Sequence, residues 1–166
     1  MQRWVMAVGL VMTGAMASAQ AQTPAPTSAD ETAIRAIVAT KLPDRINALD
    51  AKGVAALWSE TGTHSGLVYG ARVREGRASI EQMWAAGFAQ PSRDPARKVS
   101  VVISGVRFVR PDIAVVDAQN NYHGGAAPDG KDKADTHELL FAVLARENGV
   151  WLITASRVVP LIGQPR

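Results

Sequence analysis

The sequence predicts a single α+β domain, with helices first and an antiparallel sheet afterwards. Three observations carry this. Apolar residues recur at three- and four-residue steps through the first half, β-branched apolar runs fill the second half, and turn residues separate those runs. Helices followed by consecutive strands belong to the α+β class, not to alternating α/β folds.

The chain opens on MQRWVMAVGLVMTGAMASAQA, with one positive charge at Arg3, an apolar stretch from Trp4 to Met16 and small residues at Ala17, Ala19 and Ala21. This is the layout of a secretory signal peptide over residues 1–21, and its apolar run is shorter than the roughly 20 residues a membrane span needs. Cleavage after Ala19 or Ala21 would leave a chain beginning at Gln20 or Gln22 in a periplasmic or secreted location, with no membrane attachment afterwards. Residues 22–29 read as a flexible leader, 30–160 as the domain and 161–166 as a tail.

Composition bounds the rest. There is no cysteine, so an exported chain must hold together by its core alone. A domain of roughly 150 residues buries about two-thirds of the surface that its unfolded chain exposes, which suffices. Signal removal takes only Arg3 from 18 basic residues set against 15 acidic ones, a balance too even and too dispersed for nucleic-acid binding.

Each element has its own signal. Ser28 and Glu31 stand at capping-box spacing. Ile34, Ile37, Val38, Leu42, Ile46 and Leu49 then trace one helical face, with a kink or break expected near Lys41 because Pro43 lacks an amide proton. Asp50 is a suitable N-cap for a short second helix that buries Val54, Leu57 and Trp58 and ends at Thr61-Gly62. Residues 63–73 predict one or two short strands around Gly70. A third helix follows Gly76, with Ile80, Met83, Trp84, Gly87 and Phe88 as its stripe and Gln90-Pro91-Ser92 as its end. Residues 99–109, 113–123, 136–146 and 150–159 predict a four-stranded meander, its last turn carrying the hairpin pair Asn148-Gly149.

Several local pieces carry a resemblance. These are DETAIRAI at residues 30–37, LDA followed by VAALWSE at 49–60, Gly76-Arg77 before Ile80, RPDIAVV at 110–116, Pro128-Asp129-Gly130, and NGVWLI at 148–153. In this order and spacing the chain resembles the nuclear-transport-factor-2-like (NTF2-like) superfamily, and within it SnoaL-like and SgcJ/EcaC-type proteins. The resemblance covers residues 30–158. It implies a cone-shaped fold in which a curved antiparallel sheet wraps on about three N-terminal helices and encloses a pocket. It also implies a small-molecule ligand, acid–base chemistry without a cofactor, and a homodimer formed through the sheet. The carboxylate base of the family's ketosteroid isomerases aligns near Ser65-Gly66 and their helix-one tyrosine near Leu42, so that mechanism is not carried over.

His64 is the candidate catalytic residue. On the first strand it is either a pocket acid–base group, since imidazole titrates near neutrality, or a hydrogen-bonded structural histidine. A hairpin symmetric about Gly130 would set His123 against His137, above Asn121 and Gln119. No metal centre is expected, because no metal-binding histidine spacing is present. No cofactor is expected either, because no glycine-rich dinucleotide loop follows a strand. Trp58, Trp84, Phe88, Asn120, Tyr122, Trp151 and Arg157 are the candidate pocket residues, with Arg157 placed inward by strict alternation from Trp151 and Ile153. The result is either a cofactor-free lyase or isomerase for a small carbonyl or hydroxy compound, or a non-catalytic binding or dimerisation module.

Overall fold

A computed structural model describes residues 25–66, 72–91, 93–126 and 131–161. The signal segment, the strand expectation around Gly70, Pro128-Asp129-Gly130 and residues 162–166 lie outside them. The helices are α1 (Ser28–Arg35), α2 (Leu42–Asn47), α3 (Ala51–Ala55) and α4 (Arg77–Phe88), with a π-helical segment, Ala36–Lys41, joining the first two. The strands are β1 (Trp58–Gly66), β2 (Arg74–Glu75), β3 (Lys98–Arg110), β4 (Ile113–His123), β5 (Thr136–Glu147) and β6 (Val150–Pro160). They form one sheet in the order β2-β1-β6-β5-β4-β3. The meander β3 to β6 is antiparallel, as the sequence predicts, but β1 runs parallel to β6, so the sheet is mixed.

The first helix starts one residue before the expected box. Thr27 is the N-cap, its hydroxyl accepting from the Asp30 amide while the Asp30 carboxylate accepts from the Thr27 amide at 2.9 Å. Glu31 turns outward instead and pairs with Arg35 at 2.7 Å. Thr27→Ala should therefore cost about 1 kcal/mol, read from a urea unfolding midpoint, whereas Ser28→Ala should leave the midpoint unchanged.

Pro43 does not break the helix. The turn ahead of it widens, so that the Leu42 amide donates to the Ile37 carbonyl, and the helix continues to Asn47. A π-turn relieves the crowding that a proline imposes on the carbonyl four residues earlier. Asn47 then clamps the helix end to the sheet. Its amide nitrogen donates to the Val99 carbonyl at 2.8 Å and its oxygen accepts from the Val99 amide at 2.9 Å, satisfying an edge strand as another strand would.

The second helix is shorter than predicted, because Trp58 already belongs to β1 and Thr61-Gly62 lies inside that strand. Between Trp58 and Thr63, β1 bulges against β6, where the single residue Thr154 answers four residues of β1. Gly62 permits this: a Cβ there would stand 3.0 Å from both the Ile153 carbonyl oxygen and Trp58 Cδ1.

Ile34, Val38, Val54, Ile80, Leu144 and Ile153 are almost wholly buried between the helices and the inner sheet face. One end of this core is closed by Trp151. Its Nε1 donates to Asp30 Oδ1 at 3.0 Å, and Arg146, 3.2 Å from Asp30, lies over its ring at 5.1 Å. The Trp151 hydrogen bond, the Thr27 amide and Arg146 together hold the Asp30 carboxyl down at about 2. At the β5–β6 hairpin, Asn148 (φ 50°) and Gly149 (φ 83°) make the tight turn that the sequence announces. Among the described residues no helix is long and apolar enough to cross a membrane.

Candidate functional site

At the opposite end from Trp151 the inner face opens into a cavity of about 260 Å3, lined by helix, β1, β4, β5 and β6 residues. It is slightly smaller than the roughly 300–1,000 Å3 of sites for drug-sized ligands, so it suits a compact molecule. His64 projects into it from β1, 3% exposed, with its ring edge-on to Trp58 (centroids 5.7 Å apart, 87°) and tilted against Trp84 at 6.0 Å. Its Nδ1 is held 2.7 Å from the hydroxyl of Ser156, the residue paired with it across the β1–β6 ladder.

Burial between two indoles disfavours the imidazolium, and the Arg157 charge behind the strand adds to this, so the His64 pKa falls to about 4. The imidazole is therefore neutral at physiological pH. With Nδ1 committed to Ser156, Nε2 is the nitrogen left for a ligand.

Two strands along the curved sheet from β1, Glu138 on β5 lines the same cavity, and so do Asn120 and Tyr122 on β4, the next strand. Asn120 and Glu138 face each other in register, and the amide nitrogen lies 3.4 Å from Glu138 Oε2. Leu42, Ile46, Trp84 and Leu140 supply apolar wall. Gly66, at the position where the isomerase base aligns, offers no side chain. Arg97 stands at the rim, donating to the Gly124 and Ala134 carbonyls and to Thr136 Oγ1.

Of the predicted site residues, the cavity gathers His64, Trp58, Trp84, Asn120 and Tyr122. Phe88 lies outside the lining, behind Trp84 (5.4 Å) and under the Arg93 guanidinium (4.8 Å). Trp151 belongs to the far end of the core, beside Asp30 and Arg146. Arg157 is on the outer face, and the physical reason is a β-bulge. Leu144 pairs with Ile153 and Val143 with Ala155, which leaves Thr154 unpaired and reverses the alternation of β6. Trp151 and Ile153 point inward before the bulge, Ser156 and Val158 after it, and Arg157 turns out to meet Thr63 Oγ1 at 3.3 Å.

The histidine pair is corrected as well. The β4–β5 register sets Asn121 against His137, and His123 against Lys98 of β3. On the outer face His137 Nδ1 lies 2.8 Å from Asn121 Oδ1, to which Gln119 Nε2 donates at 2.6 Å. Among the described residues no group of three or more His, Asp or Glu side chains converges in a way that could hold a metal ion.

Ser156, Glu138, Arg97 and Thr136 are polar cavity residues that the sequence reading missed, and the first two lie beside His64 and Asn120. Glu138 carried a usable signal, because it shares strand parity with the core positions Leu140, Ala142 and Leu144. Ser156 carried none, since the bulge that turns it inward leaves no mark on the residue pattern.

The curved sheet, its helical cover and its end cavity define the class: an α+β cone fold of the NTF2-like, or cystatin-like, kind. Among solved structures the chain is similar to a domain of unknown function with a cystatin-like fold from Nostoc punctiforme (23% identity, 82% of this chain and 80% of that one, TM-score 0.68). It is also similar to a ketosteroid isomerase-like protein from Erwinia carotovora atroseptica (15% identity, 82% and 100%, TM-score 0.65). A third is an NTF2-like protein from Novosphingobium aromaticivorans (18% identity, 82% and 84%, TM-score 0.62). At these identities the likeness is one of fold. No family model matches the chain, and no curated protein matches it.

Proposed function

We propose that this protein is an exported, cofactor-free lyase or isomerase that enolises a small carbonyl or hydroxy-carbonyl compound. The observation that carries the reading is the neutral, buried His64 held by Ser156 inside a cavity that also presents the Glu138 carboxylate. Neutral and bonded through Nδ1 to Ser156, the buried imidazole is suited to donate a desolvated hydrogen bond from Nε2. With the Ser156 hydroxyl donating to Nδ1, Nε2–H is directed at the carbonyl oxygen where negative charge grows. Glu138, positioned by Asn120, then takes the α-proton. The proton goes to the carboxylate, the C–H electron pair to the enolate, and return of the proton elsewhere completes isomerisation.

The test is deuterium exchange in heavy water across a panel of small ketones, hydroxy-ketones and keto acids, followed by loss of α-proton NMR signals. Exchange above the buffer rate is expected for at least one compound class. Ligands that stabilise the protein thermally while none exchanges would overturn the catalytic reading and leave a binding pocket.

The outer sheet face supports a second element of the proposal, association with a second copy. In one cross-strand row Val102, Gln119, Leu139 and Val159 lie side by side, and Phe141 adjoins them. Val102 is 59% exposed and Leu139 50%, so the row exposes large apolar side chains on either side of Gln119, and an apolar face of this kind favours association. Sedimentation at tens of micromolar should give a dimer for the wild type and a monomer for Leu139→Asp. A monomeric wild type removes this element. Export itself is tested by N-terminal sequencing of the secreted form, which should begin at Gln20 or Gln22.

A further inference from the structure

We infer that the entrance of the cavity holds the anionic headgroup of a small organic acid, with Arg93, Arg97 and Lys133 as its counter-charges. This rests on the ligand-binding reading of the pocket and adds the class of ligand. A second cavity of about 230 Å3 adjoins the first and shares Ile46, Arg97 and Tyr122 with it. Its charged walls are Arg93, Arg97, Lys133 and a single carboxylate, Asp94.

Asp94 does not neutralise the three cations. Its oxygens accept from the amides of Ala96 (2.9 Å) and Ala126 (2.8 Å), and these bonds hold its carboxyl below the ordinary range, with Lys133 and Arg97 adding smaller contributions. Among the described residues none of the three cations forms an ion pair within 4 Å. Two of them are pre-positioned. Arg97 is fixed by the Gly124 and Ala134 carbonyls and Thr136, all neutral acceptors, and shares the single nearby carboxylate of Asp94 with Lys133. Arg93 is stacked on Phe88 at 4.8 Å and directed by the Ile46 carbonyl.

A guanidinium fixed by neutral groups costs little entropy to engage an oxyanion, and two guanidinium groups with a lysine favour a carboxylate or phosphate over a neutral polar group. Tyr122 and Arg97, common to both cavities, mark the route by which the body of such an acid extends from this headgroup site toward His64.

Calorimetric titration of the whole protein with four six-carbon probes tests this: hexanoate, hexyl phosphate, hexanol and hexylammonium. At least one of the two anions should bind about tenfold tighter than hexanol, with hexylammonium weakest, and the preference should shrink as salt rises from about 20 to 150 mM. Whether hexanoate or hexyl phosphate gains more identifies the headgroup. Arg93→Gln and Lys133→Gln should each weaken the preferred anion about three- to tenfold and leave hexanol unchanged. Hexanol binding as tightly as both anions, tighter binding of hexylammonium, or an anion preference untouched in both variants overturns the assignment while the pocket reading stands. Failure of all four probes to bind overturns both.

Discussion

Trp58→Ala is expected to cost about 3–5 kcal/mol of stability, read from urea unfolding followed by circular dichroism, the largest loss from any single substitution at the site. Trp58 is 1% exposed and lies where β1 leaves the helices. Its ring abuts His64 and would touch a Cβ at Gly62, and its carbonyl accepts from Arg77 Nε at 2.9 Å. Truncation opens a void in the cavity wall beside His64. Trp58→Phe should cost far less, because most of the ring volume is kept and the indole N–H it removes is buried without a partner among the described residues. A phenylalanine variant as unstable as the alanine one would locate the effect in the N–H and not in packing.

His64→Phe should lower α-proton exchange by about 10^2–10^3-fold, the usual loss when one preorganised donor to a developing oxyanion is removed. Glu138→Gln should fall at least as far, since it removes the base, whereas Ser156→Ala should lose less by only loosening the ring. Equal exchange in His64→Phe and wild type would dismiss the imidazole from the chemistry.

The same residue sets the pH dependence of stability. In the unfolded chain His64 takes up a proton near its ordinary 6.5, but the native ring refuses it until about pH 4. Between those values the unfolded state binds more protons, so stability falls with acidification across that window, by about 3 kcal/mol in total. His64→Phe should flatten that segment of the stability profile. The Asp30 carboxyl acts in a separate window: its depressed value contributes stability above the ordinary 3.8 that is lost as pH falls toward about 2.

Much of the fold is legible in the residues because it rests on local rules. Periodicity places the first long helix and α4, strand propensity and turn residues place the meander, and Asn148-Gly149 fixes its last hairpin. The errors are local in origin too. Trp58 suits a helical face and a strand start equally, so residue pattern alone does not place the end of α3, which falls at Ala55. The capping box shifted by one because Thr27, Ser28, Asp30 and Glu31 offer two overlapping boxes, and only contact with Trp151 and Arg146 selects Asp30.

By itself the sequence determined the class of fold, the order of the elements, His64 as a first-strand candidate, and the aromatic residues Trp58 and Trp84 that surround it. Tertiary structure decided which face of each strand meets the cavity. Alternation is an exact period of two, so a single unpaired residue at Thr154 exchanges Arg157 for Ser156 and replaces a charged inward group with a neutral hydrogen-bond partner. The register of β4 on β5 likewise separates His123 from His137 and brings Glu138 to Asn120. Bulges and registers depend on how strands fit across the whole sheet, and that energy is shared among residues far apart in the chain.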